Sequence, residues 1–93
     1  MNPGNNFTYI STIATTIIGG STAGIRRVNL KGIFVNKTLT GTVTVRSGAT
    51  VIGILAIGTI ANTYWLTNDG VFVQDLQIVT SAADDVTIGW NNL

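Results

Sequence analysis

The chain closes on "SAADDVTIGWNNL", which sets Asp84 beside Asp85, two of only four acidic residues in 93. Paired carboxylates can share a proton, hold a hard cation or flank a glycosidic bond. In a strand, however, neighbouring side chains point to opposite faces, so an adjacent pair does not converge on one substrate. The rest of the inventory is narrower still. Histidine, cysteine and glutamate are absent, which excludes a Ser-His-Asp triad, an imidazole or thiolate metal centre and a disulfide framework. No glycine-rich phosphate cradle occurs. These absences point away from catalysis: no catalytic residue, cofactor or metal is expected. Asp84 and Asp85 read as a corner, their carboxylates accepting backbone N–H groups in an Asx-type turn before the last strand.

Three further groupings carry some chemistry. Asn68, Asp69 and Asp75 in "TNDGVFVQD" offer oxygen ligands, but their spacing is not that of a calcium loop, and Asn-Asp-Gly is accounted for by turn chemistry. Tyr64 and Trp65, followed by Asn68 and Asp69, form a candidate glycan platform of the aromatic-plus-amide kind. Alternation places the two rings on opposite faces, so a core tryptophan with a tyrosine at an edge or subunit contact is the simpler reading. Arg26-Arg27 is the only pair of adjacent basic residues in the chain and suits an anionic partner surface or an intersubunit pairing with Asp84 or Asp85.

These residues hang on a chain that reads as strand nearly throughout. Val, Ile, Thr and aromatics dominate, and glycine recurs at the spacing of a sandwich or barrel. Phe7 to Ile18 is β-branched along its length and breaks at "GGSTAG". In "IRRVNLKGIFVN", Val28, Leu30 and Phe34 share a face, while Gly32 marks a bulge after which Ile33 and Val35 take over the opposite parity. "GTVTVRSGATV" is a hairpin with Val43 and Val45 inward and a turn at Ser47-Gly48. Its second strand, Ala49 to Ile57, is apolar on both faces, which predicts burial inside the fold or partly against another subunit. Asp69-Gly70 turns into Val71–Val73, and Val86, Ile88 and Trp90 face the core from the last strand. The sequence thus predicts an all-β chain: a two-sheet antiparallel β-sandwich of about eight strands, jelly-roll or immunoglobulin-like. Residues 7–93 form the domain and residues 1–6 an N-terminal arm.

Composition then sets what the domain does. Only 10% of residues are charged, against about 25% in typical soluble domains, while mean hydropathy is +0.43 and net charge +1. A field this weak gathers neither nucleic acid nor an anionic membrane. "VIGILAIGTIA" is about half the ~20 residues a membrane span needs, and "MNPGNNFTYI" lacks the pattern of a signal peptide. A small chain so poor in charge hides surface against other chains, so a homo-oligomer is expected. The uncharged arm, with Asn2, Asn5 and Asn6, is suited to docking on a neighbour through backbone hydrogen bonds. Arg26, Arg27 and Tyr64 complete the expected contact residues.

The run "RRVNLKGIFVNKTLTGTVTVRSGATVIGILAIGT", with "TYW", "DGVFV" and "TSAADDVTIGW", resembles small structural proteins of tailed bacteriophages and prophages. The shared pattern is a "G-x-x-V-N-K-x-L-T-G-T-V-T-V" hairpin, a central aromatic segment and an "S-x-A-D-D-V-T-V" ending. Here it falls on Gly32, Val35 to Lys37, Leu39 to Val45, Ser81 and Ala83 to Thr87, roughly the last two-thirds of the chain. The resemblance implies a capsid decoration or cement protein, many of which are trimers. Its partner would be the phage major capsid protein or another virion protein, and its place the capsid surface, after synthesis in the host cytoplasm. The alternative is a carbohydrate-binding or host-attachment module of a fibre or tail.

Overall fold

The structure, a computed structural model, describes residues 6–19, 27–65 and 70–92. Nine strands are present among them: β1 (Asn6–Ile10), β2 (Ala14–Ile17), β3 (Arg27–Val35), β4 (Val43–Ser47), β5 (Thr50–Leu55), β6 (Asn62–Trp65), β7 (Val71–Gln74), β8 (Leu76–Thr80) and β9 (Val86–Asn92). They form two antiparallel sheets. One runs β1-β9-β3-β6, with β7 also pairing β3, and the other runs β2-β8-β4-β5. β6 lies opposite Gly32–Val35 and β7 opposite Arg27–Leu30, so the two sit end to end along one edge of β3 as a single interrupted strand. Counted that way the fold has eight strands, and their order in the two sheets is that of a jelly roll rather than an immunoglobulin sandwich.

Alternation builds the core. Val28, Leu30, Val43, Ile78, Val86 and Ile88 are almost wholly buried between the sheets, and the partners that face them across each ladder bury on the same parity. The bulge predicted at Gly32 is present. The register between β3 and β9 shifts between Leu30 and Gly32, which moves Ile33 and Val35 onto the inner face beside Leu30. The same shift turns Phe34 outward, where its ring lies 6.2 Å from that of Phe7, so its expected place beside Val28 and Leu30 is corrected. The hairpin turn also holds: Gly48 adopts φ +57° between β4 and β5, a conformation that suits glycine.

Three expectations change. Phe7 to Ile18 is not one strand, because the chain crosses between sheets at Ser11–Ile13, leaving β1 and β2 in different layers. Thr80 holds that crossing: its buried hydroxyl accepts the Ala14 N–H (3.1 Å) and donates to the Thr12 carbonyl (2.6 Å). Trp90 keeps the inward parity of Ile88 but is only half-buried, with its indole N–H donating to Thr8 Oγ1 (3.0 Å). Finally, β5 is the outermost strand of its sheet, not an interior one. Its side chains Val51, Ile52 and Ile54 are 52%, 47% and 60% exposed. A run apolar on both faces signals concealment from water, and within one chain nothing among the described residues conceals it.

Candidate functional site

Asp84 and Asp85 lie just before β9, neither of them in a strand. Strand alternation therefore does not act on them, and both border one cleft, but each carboxylate engages a different segment, and those partners are distant in sequence rather than local. Asp84 is buried and reaches across to the segment joining β3 to β4: the Thr40 N–H and the Thr40 hydroxyl both donate to Oδ1 (2.9 Å each), and the Gly41 N–H donates to Oδ2 (3.0 Å). The expected Asx turn is therefore corrected to a long-range clamp. Backbone donation from Thr40 holds the Asp84 carboxyl below its ordinary value of 3.8, burial opposes this, and donation from Gly41 and the Thr40 hydroxyl adds to it. Asp85 serves a different junction, with Oδ1 accepting from Asn36 Nδ2 (3.0 Å) while its carbonyl accepts the Asn36 N–H (2.9 Å). Tyr9 donates its hydroxyl to the Asp85 carboxylate, and that bond, with smaller effects of desolvation and the carboxylate's charge, raises the phenol above its ordinary 10.0.

Around the clamp the motif residues dock on one another. Ser81 Oγ accepts the Thr42 N–H (2.7 Å), and the Ser81 N–H donates to the Thr42 carbonyl (3.1 Å). Gly41 lies so close beneath that an added Cβ would collide with Ser81 Oγ and come within 2.7 Å of Ala82 Cβ. "LTGT" and "SAADD" are thus two halves of one packed corner. Tyr9, Lys37, Thr40, Asp84 and Asp85 line an open polar cleft of about 330 Å³ beside it. Both carboxylates in that cleft are engaged in holding chain segments together, and ionised Asp84 has donors on both oxygens. No group of three or more His, Cys, Asp or Glu side chains placed to hold a metal occurs among the described residues.

The remaining candidates do not gather into one site. Asn6 is half-buried where β1 begins, opposite Trp90, and Arg27 is exposed where β3 begins, opposite Gln74. Both stand at the end of their sheet away from Asp84 and Asp85, so Arg27 does not reach either of these two aspartates within one chain. Tyr64 is half-buried against the core, its hydroxyl donating to the Ile60 carbonyl (2.7 Å). Of the two neighbouring aromatics it is Tyr64 whose backbone pairs with inward-facing Ile33, while Trp65 pairs with Gly32. Asn2, Asn5, Arg26, Asn68 and Asp69 lie outside the described residues. Asp75 forms the corner between β7 and β8 with φ 56°, a left-handed conformation that aspartate tolerates. Its carbonyl accepts the Gly48 N–H (2.9 Å).

What sequence reasoning missed is the apolar edge. Val51, Ile52, Ile54, Ile57 and Ile60 are each exposed by 47% to 69%, and they follow one another along β5 and the loop after it. No charged residue occurs from Ser47 to Asn68. The signal was legible as an uncharged stretch, although the same stretch reads equally well as interior. Compared with known proteins, the chain matches no family model, no curated protein and no solved structure, so its own geometry carries the functional reading.

Proposed function

We propose that this chain is a structural component of a virion, a decoration or cement protein that works as an oligomer, with three copies favoured, and stabilises the shell by contacts between subunits. The observation that carries the reading is the exposed, charge-free row of aliphatic side chains from Val51 to Ile60. Soluble monomers rarely leave contiguous apolar surface of this kind open, and where it occurs it marks an interaction site. A free edge strand normally carries lysine, proline or inward charge against unwanted pairing; β5, "TVIGIL", carries none of these. The phage-like motif adds a second support, since Gly41, Thr42, Ser81 and Asp84 serve to hold the corner rigid. Jelly-roll order is common among capsid proteins, an association of fold only.

The test is light scattering after size exclusion, combined with co-sedimentation on particles of the phage or prophage that encodes the chain. Oligomers at micromolar concentration and stoichiometric binding to particles are expected. A monomer that does not co-sediment would overturn the reading.

A further inference from the structure

Among the described residues, the sandwich is incompletely filled at one side. Gly53 pairs with inward-facing Val45, so a side chain at this position would project between the sheets, yet an added Cβ there meets no atom within 4 Å. Leu30, Val45, Ile52 and Val71 surround this space and line an apolar cavity of about 160 Å³ that opens between β5 and β7. Packed interiors leave few voids of that size. Because the space opens to solvent, water can enter it, but the apolar lining offers that water almost no hydrogen-bond partner, so an apolar side chain that displaces it is favoured. The backbone at Gly53 is not in the left-handed region, so turn geometry does not explain the choice of glycine over a residue that would close the gap.

We infer that this gap is a socket for an aliphatic or aromatic side chain of a second copy of the chain. The inference rests on the assembly reading above and deepens it by naming the contact. Three observations select the occupant. The lining is apolar, which excludes a charged or strongly polar ligand. A bulge in β5, where the register with β4 shifts between Val45 and Arg46, leaves Ile52 as the extra residue, and that residue forms a wall of the cavity. The exposed aliphatic row continues from this wall along the free edge and carries no charge to repel an identical surface. That row amounts to apolar surface on the order of 500 Å² per copy, so two copies bury about 1,000 Å², which is where specific interfaces begin.

The experiment compares the full chain with Gly53→Leu, which fills the socket from within, and Ile54→Lys, which sets a cation in the aliphatic row beside it at a side chain already 60% exposed. Sedimentation velocity gives the association constant, and circular dichroism gives the fold and the melting temperature. Gly53→Leu is expected to melt at or above the parent while weakening self-association by about tenfold or more, and Ile54→Lys to weaken it likewise without loss of fold. Parent-like association by a folded Gly53→Leu chain would overturn the socket and leave the assembly reading standing. If Gly53→Leu does not fold, parent-like association by Ile54→Lys overturns the inference in its place. A parent chain that stays monomeric to about 100 μM overturns the second copy as occupant. Binding of that monomer to particles, lost in Gly53→Leu, would assign the socket to a coat protein instead.

Discussion

Asp84→Asn removes one charge and almost no volume, which makes it the sharpest probe of the corner. In the parent, three donors converge on two oxygens, at 2.9, 2.9 and 3.0 Å. An amide offers one oxygen, so its NH₂ must face either the Thr40 or the Gly41 N–H, donor against donor. Bonds to a charged acceptor contribute about 1.5–3 kcal/mol each, and a buried donor left unsatisfied costs about 1–3 kcal/mol. Thr40 is exposed while Gly41 is buried, and the open cleft beside them admits water that screens part of the effect. We therefore expect a loss of about 2 kcal/mol, a fall in melting temperature of roughly 8–16 °C for a domain of this size. The pH dependence adds an independent check. The folded state holds the Asp84 proton less tightly than the unfolded chain, because its carboxyl lies below 3.8. Its contribution is complete above about pH 4 and is lost as pH falls through the lowered folded value. Parent stability should thus rise with pH across that acid window, and the profile of Asp84→Asn should be flatter there. Urea unfolding followed by circular dichroism between pH 2 and pH 7 measures both. A variant within about 0.5 kcal/mol of the parent, or one with the parent's acid slope, would refute the clamp.

Thr80→Val keeps the shape of the side chain but strands the Ala14 N–H and the Thr12 carbonyl; it should cost about 1–2 kcal/mol in urea unfolding, and Thr80→Ser should recover most of that loss. Gly41→Ala must push Ser81 and Ala82 away, and a loss of about 1–3 kcal/mol, with faster amide exchange at Thr42 and Ser81, is expected. Tyr9 should titrate above 10.0 in ultraviolet difference spectra, and Asp85→Asn should bring it back toward that value because the charge is gone and the one remaining oxygen is a weaker, neutral acceptor; Tyr9→Phe identifies the signal.

The hairpin of β4 and β5 was legible because Val43, Val45 and the Ser47-Gly48 turn obey rules that act within a few residues. The bulge was legible too, since a change of parity at Gly32 leaves its mark in the order of apolar residues. Phe34 was misplaced for the same reason: the parity shift that brought Ile33 and Val35 inward necessarily turned Phe34 out. Contacts that depend on the fold were hidden. Nothing near Asp84 in the sequence announces Thr40 and Gly41, and nothing in "FTYISTIATTII" announces that Thr80 will hold its midpoint. For the β5 stretch only the interior alternative is excluded, because periodicity states that a surface avoids water and not what covers it.

The pairing order has a kinetic consequence. β4 pairs β5, β3 pairs β6 and β7, β2 pairs β8 and β1 pairs β9, so the chain is one hairpin nested inside another, closed at Gly48. Each outer pair is remote in sequence, yet once the pair inside it has formed, only a short additional loop remains to be closed. The entropic cost of the long separations is thereby divided into small steps. On this route the transition state is built around the Gly48 turn, and β1 with β9 zips last. Damage at the turn then slows folding, whereas damage at the outermost pair leaves the folding rate alone and shortens the lifetime of the native chain.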